Sequence, residues 1–346
     1  MNNNTSPQQM VYASFNQDAS CFVLGNEKGF KVFGSFNFGK DFHERIIEGG
    51  VSIIELYYRS NFIAFVGKGA HSQYPNTKVI LWDDFNTKII SEFKFTSTIK
   101  SLKLKKDKIL IVCETKIFLF SLLNYNNLLQ IDTDINKRGL IAINLDPLIT
   151  VIAYLTNTNS TIKIHHLETG KDITITPSYD NCTISCFALN YDGSLLAIAS
   201  DNGTNIQIYR TIDGMYLQQF KRSKEKSEIT YICFDMNCKL MAASSDKGTI
   251  HIWHMDNCIT KSKETPITNE IIHHNKTNIL SSIGGYFKSE WNFAQVKLNE
   301  QHSSICAFGP DNTFIAITSV GKYYQAQIDM KRGGNCKIIN EYSHIL

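Results

Sequence analysis

The chain has 346 residues, of which 43% are hydrophobic and 19% are charged. Its 35 basic and 32 acidic residues leave a formal net charge of +3, which argues against the strongly basic surface of a nucleic-acid-binding domain. No run of about 18 apolar residues is present, so no membrane-spanning helix is predicted. The length fits either two ordinary domains or one large closed all-β fold.

The first residues, 1–9, are polar and rich in Asn, and they lack the pattern of a secretory signal peptide. We predict that residues 1–10 form a flexible N-terminus. Nine cysteines are scattered along the chain, and three of them recur in similar strand-like strings: Cys186, Cys233 and Cys306. This recurrence predicts small buried strand residues rather than disulfides or metal ligands. The odd number of cysteines and the missing secretion signal predict a cytoplasmic protein.

Short apolar and alternating runs, broken by Asp-Gly, Asn-Gly and Lys-Gly turns, follow one another along the chain. This pattern is typical of strands and turns. One unit recurs at an offset of 45 residues, because 192–204 (DGSLLAIASDNGT) is similar to 237–249 (NCKLMAASSDKGT). A repeat of this length, built from turns and strands, predicts a seven-bladed β-propeller of the WD-repeat type, with four-stranded antiparallel blades.

In chain order, the seven blades are predicted to begin near Val11, Val51, Thr98, Gly139, Cys182, Glu228 and Ser303. They form a single predicted domain over residues 11–346. The sixth blade is longer than the others. Its excess follows a third strand that ends near His254 and precedes a fourth strand predicted around Trp291.

The insertion in blade six, residues 255–285, is polar with a thin apolar stripe. Thr265 before Pro266 is a candidate start for a short helix. One interpretation is a disordered loop with incidental isoleucines. The other is a segment that becomes ordered in a bilayer interface, which makes four residues candidates for membrane insertion: Ile267, Ile271, Ile272 and Leu280.

The sequence does not favour an enzyme. The glycines around Lys68 lack the spacing of a phosphate-binding loop, and no nucleophile elbow is present. His251 and His254 are three residues apart on a predicted strand, so they point to opposite faces and cannot share a metal. No catalytic residue, metal or cofactor is therefore predicted.

The most informative cations are Lys221 and Arg222, which end one complete blade and lead into the next. Strand alternation turns two such neighbours towards two different blades. An arginine matches phosphate oxygens with its planar fork, whereas a lysine acts as a point charge. The alternative is a solvated connecting loop.

The chain resembles the PROPPIN family of seven-bladed propellers over nearly its whole length, and it looks most like the shorter human members, WIPI three and four. The strings that carry the resemblance are 15–22 (FNQDASCF), 29–33 (GFKVF), 49–61 (GGVSIIELYYRSN), 74–84 (YPNTKVILWDD), 184–190 (ISCFALN), 244–252 (SSDKGTIHI), 286–291 (YFKSEW) and 305–309 (ICAFG).

The resemblance implies that the protein binds phosphatidylinositol 3-phosphate, as the family often also binds the 3,5-bisphosphate, in two pockets at the edges of blades five and six. The family's Arg-Arg-Gly signature is Lys221, Arg222 and Ser223 here. The implied lipid-binding residues are Ser200, Thr204, Lys221, Arg222, Ser245, Thr249 and His251. The first pocket, with Lys221, is expected to be weak, because Gln207 stands where the family usually has arginine and Asp180 lies near a usual histidine. The competing interpretation is a protein-only scaffold whose lipid pockets have degenerated.

The resemblance also implies a protein partner, the autophagy lipid-transfer protein of the ATG-two type, at blades one to three. Asn16 and Asp18 match positions implicated there, although both residues also suit an ordinary strand turn. The expected protein is a monomeric scaffold for autophagy or related membrane trafficking. We expect it to be cytoplasmic and recruited peripherally to pre-autophagosomal or endosomal membranes, without binding nucleic acid.

Overall fold

The computed structural model describes residues 12–36, 38, 42–69, 72–156, 160–178, 182–263, 290–343 and 345, and these form seven β-sheets arranged as blades. The predicted seven-bladed propeller is confirmed. Blade one contains β1 (Tyr12–Phe15), β2 (Cys21–Asn26), β3 (Gly29–Gly34) and β4 (His43–Ile46). Blade two contains β5 (Val51–Leu56), β6 (Phe62–Gly67), β7 (Lys78–Asp83) and β8 (Lys88–Lys94).

The next three blades repeat this antiparallel order. Blade three contains β9 (Ile99–Lys105), β10 (Lys108–Cys113), β11 (Lys116–Ser121) and β12 (Asn127–Asp132). Blade four contains β13 (Ile141–Ile143), β14 (Val151–Thr156), β15 (Thr161–His166) and β16 (Lys171–Ile175). Blade five contains β17 (Ile184–Leu189), β18 (Leu195–Ser200), β19 (Asn205–Arg210) and β20 (Tyr216–Lys221).

The last two blades are interrupted between their third and fourth strands. Blade six contains β21 (Ile229–Phe234), β22 (Leu240–Ser245) and β23 (Thr249–His254), and the short helix α1 (Asp256–Ser262) and β24 (Glu290–Trp291) come before its fourth strand, β25 (Ala294–Lys297). Blade seven contains β26 (Ser304–Phe308), β27 (Thr313–Thr318), β28 (Tyr323–Gln327) and β30 (Lys337–Tyr342), with β29 (Gly334–Asn335) before the last of these. A single 3-10 turn, Pro310–Asn312, precedes β27.

The fourth strand of blade six begins three residues later than the sequence predicts. The predicted strand around Trp291 is β24, which pairs in parallel with the outer strand β20 of blade five instead. The fourth strand of blade six is β25, and it pairs antiparallel with β23. In the same way, β29 lies in parallel on β25. The connections before the fourth strands of blades six and seven therefore each extend the blade that precedes them.

Adjacent blades are held together by apolar side chains between their faces. Such a cluster joins every neighbouring pair of blades, including blades seven and one. At that closure the rings of Phe22 and Tyr323 stack with centroids 6.0 Å apart, and the Tyr323 hydroxyl donates to the Ser35 carbonyl oxygen at 2.7 Å. The ring thus closes through side-chain packing, because each terminal blade builds its own four strands.

The first strand of each blade faces a central channel with a cavity of about 380 Å³. Cys186, Cys233 and Cys306 line it from the first strands of blades five, six and seven, and the sulfur atoms of the last two are 3.7 Å apart. Burial raises the pKa of the Cys186 thiol to about 12, so this thiol is protonated at neutral pH. Cys186, Cys233 and Cys306 are free thiols, as the sequence predicts. The described part of the chain contains no helix that could span a lipid bilayer.

Candidate phosphate site at the edge of blades five and six

Lys221 and Arg222 lie where β20 leaves blade five, and strand alternation separates their side chains. Phe220 is fully buried and its ring centroid is 5.8 Å from that of Trp253 in blade six. Lys221 is exposed on the other face of the strand, and Arg222 is only 4% exposed and turns back towards blade six. The two cations therefore serve different inter-blade edges, because successive strand residues point to opposite faces.

The Arg222 guanidinium is held by oxygens from both blades. Its Nε donates to the Gly203 carbonyl oxygen at 2.6 Å, and Nη2 donates to the Glu225 carbonyl oxygen at 2.8 Å. Nη1 donates to Ser245 Oγ of blade six at 3.3 Å. These three bonds leave two of the five guanidinium N–H groups for a further acceptor.

Blade six supplies the opposite wall of this site. Ser245 ends β22, and Thr249 and His251 alternate along β23, so both face blade five. The His251 ring stacks on Trp253 with centroids 5.8 Å apart, which continues the aromatic packing that begins at Phe220. The site is thus the polar end of the apolar core between blades five and six.

His251 is 8% exposed, and its Nδ1 atom has no hydrogen-bond partner among the described residues. Burial, together with the nearby positive charges of Arg222 and Lys297, lowers the pKa of His251 to about 4, while a hydrogen bond with Asn292 acts in the opposite direction. His251 is therefore neutral at neutral pH.

The charge balance around Arg222 favours an added anion. Burial lowers the pKa of the Arg222 guanidinium, and the carboxylates of Asp246 and Glu225 oppose this shift. Neither carboxylate lies within ion-pair distance of the guanidinium in the described part of the chain, since Glu225 pairs with Lys247 and Asp246 accepts from Ser227. A buried cation bound only by neutral oxygens is strongly stabilised by an anion.

The Lys221 side of the edge is less cationic. Ser200 is buried, Thr204 is half-buried, and the Thr204 carbonyl oxygen accepts the backbone N–H of Arg222 at 2.9 Å. Gln207 is buried, accepts from the Tyr209 hydroxyl at 2.6 Å and donates to the Ser178 carbonyl oxygen at 3.3 Å. Gln207 is therefore committed to bonds within the protein and brings no charge. Asp180 lies outside the described residues.

Ser223, where the resemblance implies a glycine, fits its position without backbone strain. It is absent from the described residues with positive φ, and its Oγ accepts the backbone N–H of Glu225 at 2.9 Å. The substitution therefore closes a short turn after Arg222.

Three residues at this edge do not follow from the repeat pattern: Trp291, Asn292 and Lys297. Lys297 lies directly opposite Thr249 in the β23–β25 pair, and Trp291 lies opposite Lys221 in the β20–β24 pair. The Lys221 Nζ atom is 5.9 Å from the centroid of the Trp291 ring. Only the path of the chain after the insertion brings these residues to the site. In the sequence, these residues are indicated only by the string 286–291 (YFKSEW), which ends at Trp291.

The helix α1 fastens the start of the insertion to blade five. Lys261 Nζ donates to the Leu217 carbonyl oxygen at 3.2 Å, and Arg210 Nη1 donates to the Ser262 carbonyl oxygen at 3.2 Å. The helix starts before the candidate cap at Thr265, which lies outside the described residues, as do the four candidate membrane-insertion residues, Ile267, Ile271, Ile272 and Leu280.

The candidate partner residues of blade one lie in the turn between β1 and β2. Asn16 is buried, and its Oδ1 accepts the backbone N–H of Cys21 at 3.0 Å. Asp18 is exposed and accepts the Ser20 hydroxyl at 2.6 Å. Asn190 and Asp192 of blade five make the same two kinds of bond. Asn16 and Asp18 therefore shape a turn that recurs in the propeller. Of these two residues, only Asp18 is accessible to a partner.

Two other candidate groups have partners of their own. Arg138, in a second cationic string at residues 136–140 (NKRGL), pairs with Glu228 at 2.7 Å. His254 packs on the Phe293 ring, with centroids 4.2 Å apart. Within the described ranges, no group of three or more His, Cys, Asp or Glu side chains is placed to hold a metal ion.

Fold and site together define a seven-bladed propeller with a cationic, hydroxyl-lined edge between blades five and six. The PROPPIN family model matches residues 9–345, and the chain belongs to this family. It is 30% identical to Autophagy-related protein 18e of Arabidopsis thaliana, over 95% of this chain and 86% of that protein. The crystal structure of Kluyvelomyces marxianus Hsv2 superposes with a TM-score of 0.75 at 19% identity, covering 98% of this chain and 100% of that one.

A complex of KlAtg21 with the coiled coil of AgAtg16 contains a second similar propeller. It superposes with a TM-score of 0.74 at 20% identity, covering 97% of this chain and 99% of that one. At these identities the two structures support the fold. The particular closeness to the shorter human members stays a prediction.

Proposed function

We propose that this protein binds phosphatidylinositol 3-phosphate and is recruited from the cytoplasm to pre-autophagosomal or endosomal membranes as a scaffold. The observation that carries the proposal is the buried Arg222 guanidinium, which is bound by three neutral oxygens and by no carboxylate of the described residues. Membership of the PROPPIN family and the autophagy-related name of the plant relative support the same role.

The stronger lipid pocket is the one between Arg222 and blade six. A phosphate carries up to about −2 charge and several acceptor oxygens. Arg222 offers its remaining N–H groups, and Ser245 and Thr249 add hydroxyls. The Lys221 pocket binds more weakly, because a lysine is a point charge and Gln207 adds no cation. Lys297, on the outer strand beside Thr249, is a candidate contact for the second phosphate of the 3,5-bisphosphate.

Vesicle flotation tests the proposal directly. The protein is expected to float with phosphatidylcholine vesicles that contain phosphatidylinositol 3-phosphate and to stay behind with phosphatidylcholine alone. Arg222→Ala is expected to abolish most of the binding, whereas Lys137→Ala, an exposed lysine of the second cationic string, leaves it unchanged. Equal flotation of Arg222→Ala and the wild type would refute the assignment of the site to Arg222. Absence of flotation of the wild type would favour a protein-only scaffold.

A second proposed activity is protein binding at blades one and two. A groove of about 470 Å³ lies there, with an apolar floor that includes Leu56 and Ile63 and a rim that includes Arg59. Phe85 is 79% exposed beside it. We propose that an autophagy lipid-transfer protein of the ATG-two type docks there and contacts the exposed Asp18 in the adjoining turn, while the buried Asn16 holds that turn in place. The similar KlAtg21 propeller was solved with a protein partner of its own.

Pull-down with that lipid-transfer protein tests the second proposal. Phe85→Asp is expected to weaken capture, and Leu123→Asp serves as its control, because Leu123 is 82% exposed in the corresponding turn of blade three. Loss of capture in both variants or in neither would place the partner elsewhere.

A further inference from the structure

Two thiols meet at the junction of blades six and seven, beside the central channel. Cys233 lies in β21 and Cys306 in β26, and these first strands are neighbours in the ring. The two sulfur atoms are 3.7 Å apart, within the distance of an S–H···S hydrogen bond. A disulfide bond is about 2.0 Å long, so an approach of about 1.7 Å would join the two blades covalently.

The contact between these two sulfurs is not a general consequence of the repeat. Cys186 occupies the corresponding position of β17 in blade five and lines the same channel cavity. Its thiol interacts with the backbone of Ile232 instead. Cys258, in the core between blades five and six, donates to Gln218 Oε1 at 3.7 Å. Blades six and seven therefore carry a paired dithiol where other buried cysteines contact amide groups.

The two thiols of the pair differ in accessibility, which assigns them different roles. Cys306 is 1% exposed, and burial together with the bond to Cys233 raises the pKa of its thiol, so Cys306 stays protonated. Cys233 is half-buried and lines the channel cavity of about 380 Å³, which has room for several molecules of the size of water. A small oxidant in the channel therefore reaches Cys233 first, with Cys306 directly behind it.

We propose that Cys233 and Cys306 are a peroxide-oxidised pair whose reversible disulfide fastens blade six to blade seven. The Cys233 sulfur attacks one oxygen of hydrogen peroxide, the O–O bond breaks, and a sulfenic acid and water form. The Cys306 sulfur then attacks the sulfenic sulfur, and its proton leaves with the hydroxyl group as a second water. Two thiols thus lose two electrons in total, and the peroxide gains them. A small thiol reduces the bridge again by thiol–disulfide exchange.

The bridge is expected to stabilise the propeller, independently of lipid binding. It closes a loop over residues 233–306, which contains the three other strands of blade six. A disulfide restricts the unfolded chain, and the restriction grows with the length of the loop. For a loop of this length in a chain of this size, oxidation should raise the Tm by about 5 °C.

Mass spectrometry of the full-length protein tests the pairing. The reduced protein is treated with hydrogen peroxide, its remaining thiols are alkylated, and it is digested without reductant by proteases that cleave after lysine and before aspartate. Cleavage before Asp235 separates Cys233 from Cys238. A peptide pair joined through Cys233 and Cys306 is expected, and dithiothreitol should remove it. Absence of this pair in the folded protein, or a bridge from Cys233 to Cys186 in its place, would overturn the proposal.

Two serine variants separate a specific bridge from general oxidation, because methionine oxidation affects every form alike. Cys306→Ser should give no linked peptide, should accumulate a Cys233 sulfenic acid that reacts with dimedone, and should keep its Tm after peroxide treatment. Cys186→Ser, at the corresponding strand position, is the matched control and should form the bridge and gain stability like the wild type. A linked wild type whose Tm does not rise would refute the fastening role, as would an equal rise in Cys306→Ser.

Discussion

Arg222 Nε and the Gly203 carbonyl oxygen are 2.6 Å apart, so a turn of blade five holds the guanidinium that also contacts blade six. Gly203 adopts a φ of +57°, and a Cβ atom there would lie 1.8 Å from the Ser227 carbonyl oxygen. The turn and the loop after Arg222 are therefore packed backbone against backbone, which sets the position of the guanidinium.

Gly203→Ala is expected to destabilise the protein and to weaken lipid binding. The substitution adds a backbone clash to the strain of a left-handed conformation, for which we expect a loss of about 2–4 kcal/mol in the free energy of unfolding. Gly170→Ala is the matched control, because Gly170 has a φ of +66° but nothing within 4 Å of its Cβ position. It should cost about 1 kcal/mol. Urea unfolding of both variants measures the difference, and equal losses would contradict the packing argument.

The two adjacent cations are expected to contribute unequally to lipid binding. Arg222→Lys keeps a positive charge but removes the planar fork, so binding to phosphatidylinositol 3-phosphate should fall about tenfold or more. Lys221→Ala should cost less, about two- to threefold, because that side lacks a second cation. Titration of vesicles by surface plasmon resonance ranks the variants. A larger loss for Lys221→Ala would reverse the assignment of the stronger pocket.

His251 makes the stability of the protein depend on pH. Its pKa is about 4 in the folded protein and near 6.5 in the unfolded chain, so the stability from the neutral ring is fully present above pH 6.5 and is lost as the pH falls towards 4. The shift corresponds to about 3 kcal/mol over that range. Between pH 7 and pH 5, the free energy of unfolding should fall less for His251→Asn than for the wild type, as urea unfolding at the two pH values can measure. His302→Asn, at a half-buried position outside the site, should follow the wild type.

The closure of the ring depends on a buried hydroxyl. Tyr323→Phe removes the bond from the Tyr323 hydroxyl to the Ser35 carbonyl oxygen and leaves that acceptor unpaired, which should cost about 1–3 kcal/mol. Tyr342→Phe, at a residue that is 41% exposed in blade seven, is expected to change stability by less than about 0.5 kcal/mol. Thermal unfolding of the two variants separates the cases. A neutral Tyr323→Phe would mean that apolar packing alone closes the ring.

Much of the fold could be read from local patterns. The predicted start of blade two, Val51, is the first residue of β5, and the predicted start of blade five, Cys182, lies two residues before β17. Such boundaries can be predicted because turn residues and the alternation of strands are properties of short segments. The prediction of the fourth strand of blade six was wrong because strand pairing is not a local property. Glu290 and Trp291 do form a strand, but their own sequence does not determine whether they pair with the outer edge of blade five or with blade six.

The sequence by itself determined the repeat, the seven units and the adjacency of Lys221 and Arg222 at a blade junction, because strand period and turn chemistry act over a few residues. Only the tertiary structure decided which groups meet there. It buried Arg222 against Ser245, left Lys221 under the exposed ring of Trp291, and brought Lys297 beside Thr249. These contacts join residues far apart in the chain, and their geometry depends on how two whole blades pack, which no short segment encodes.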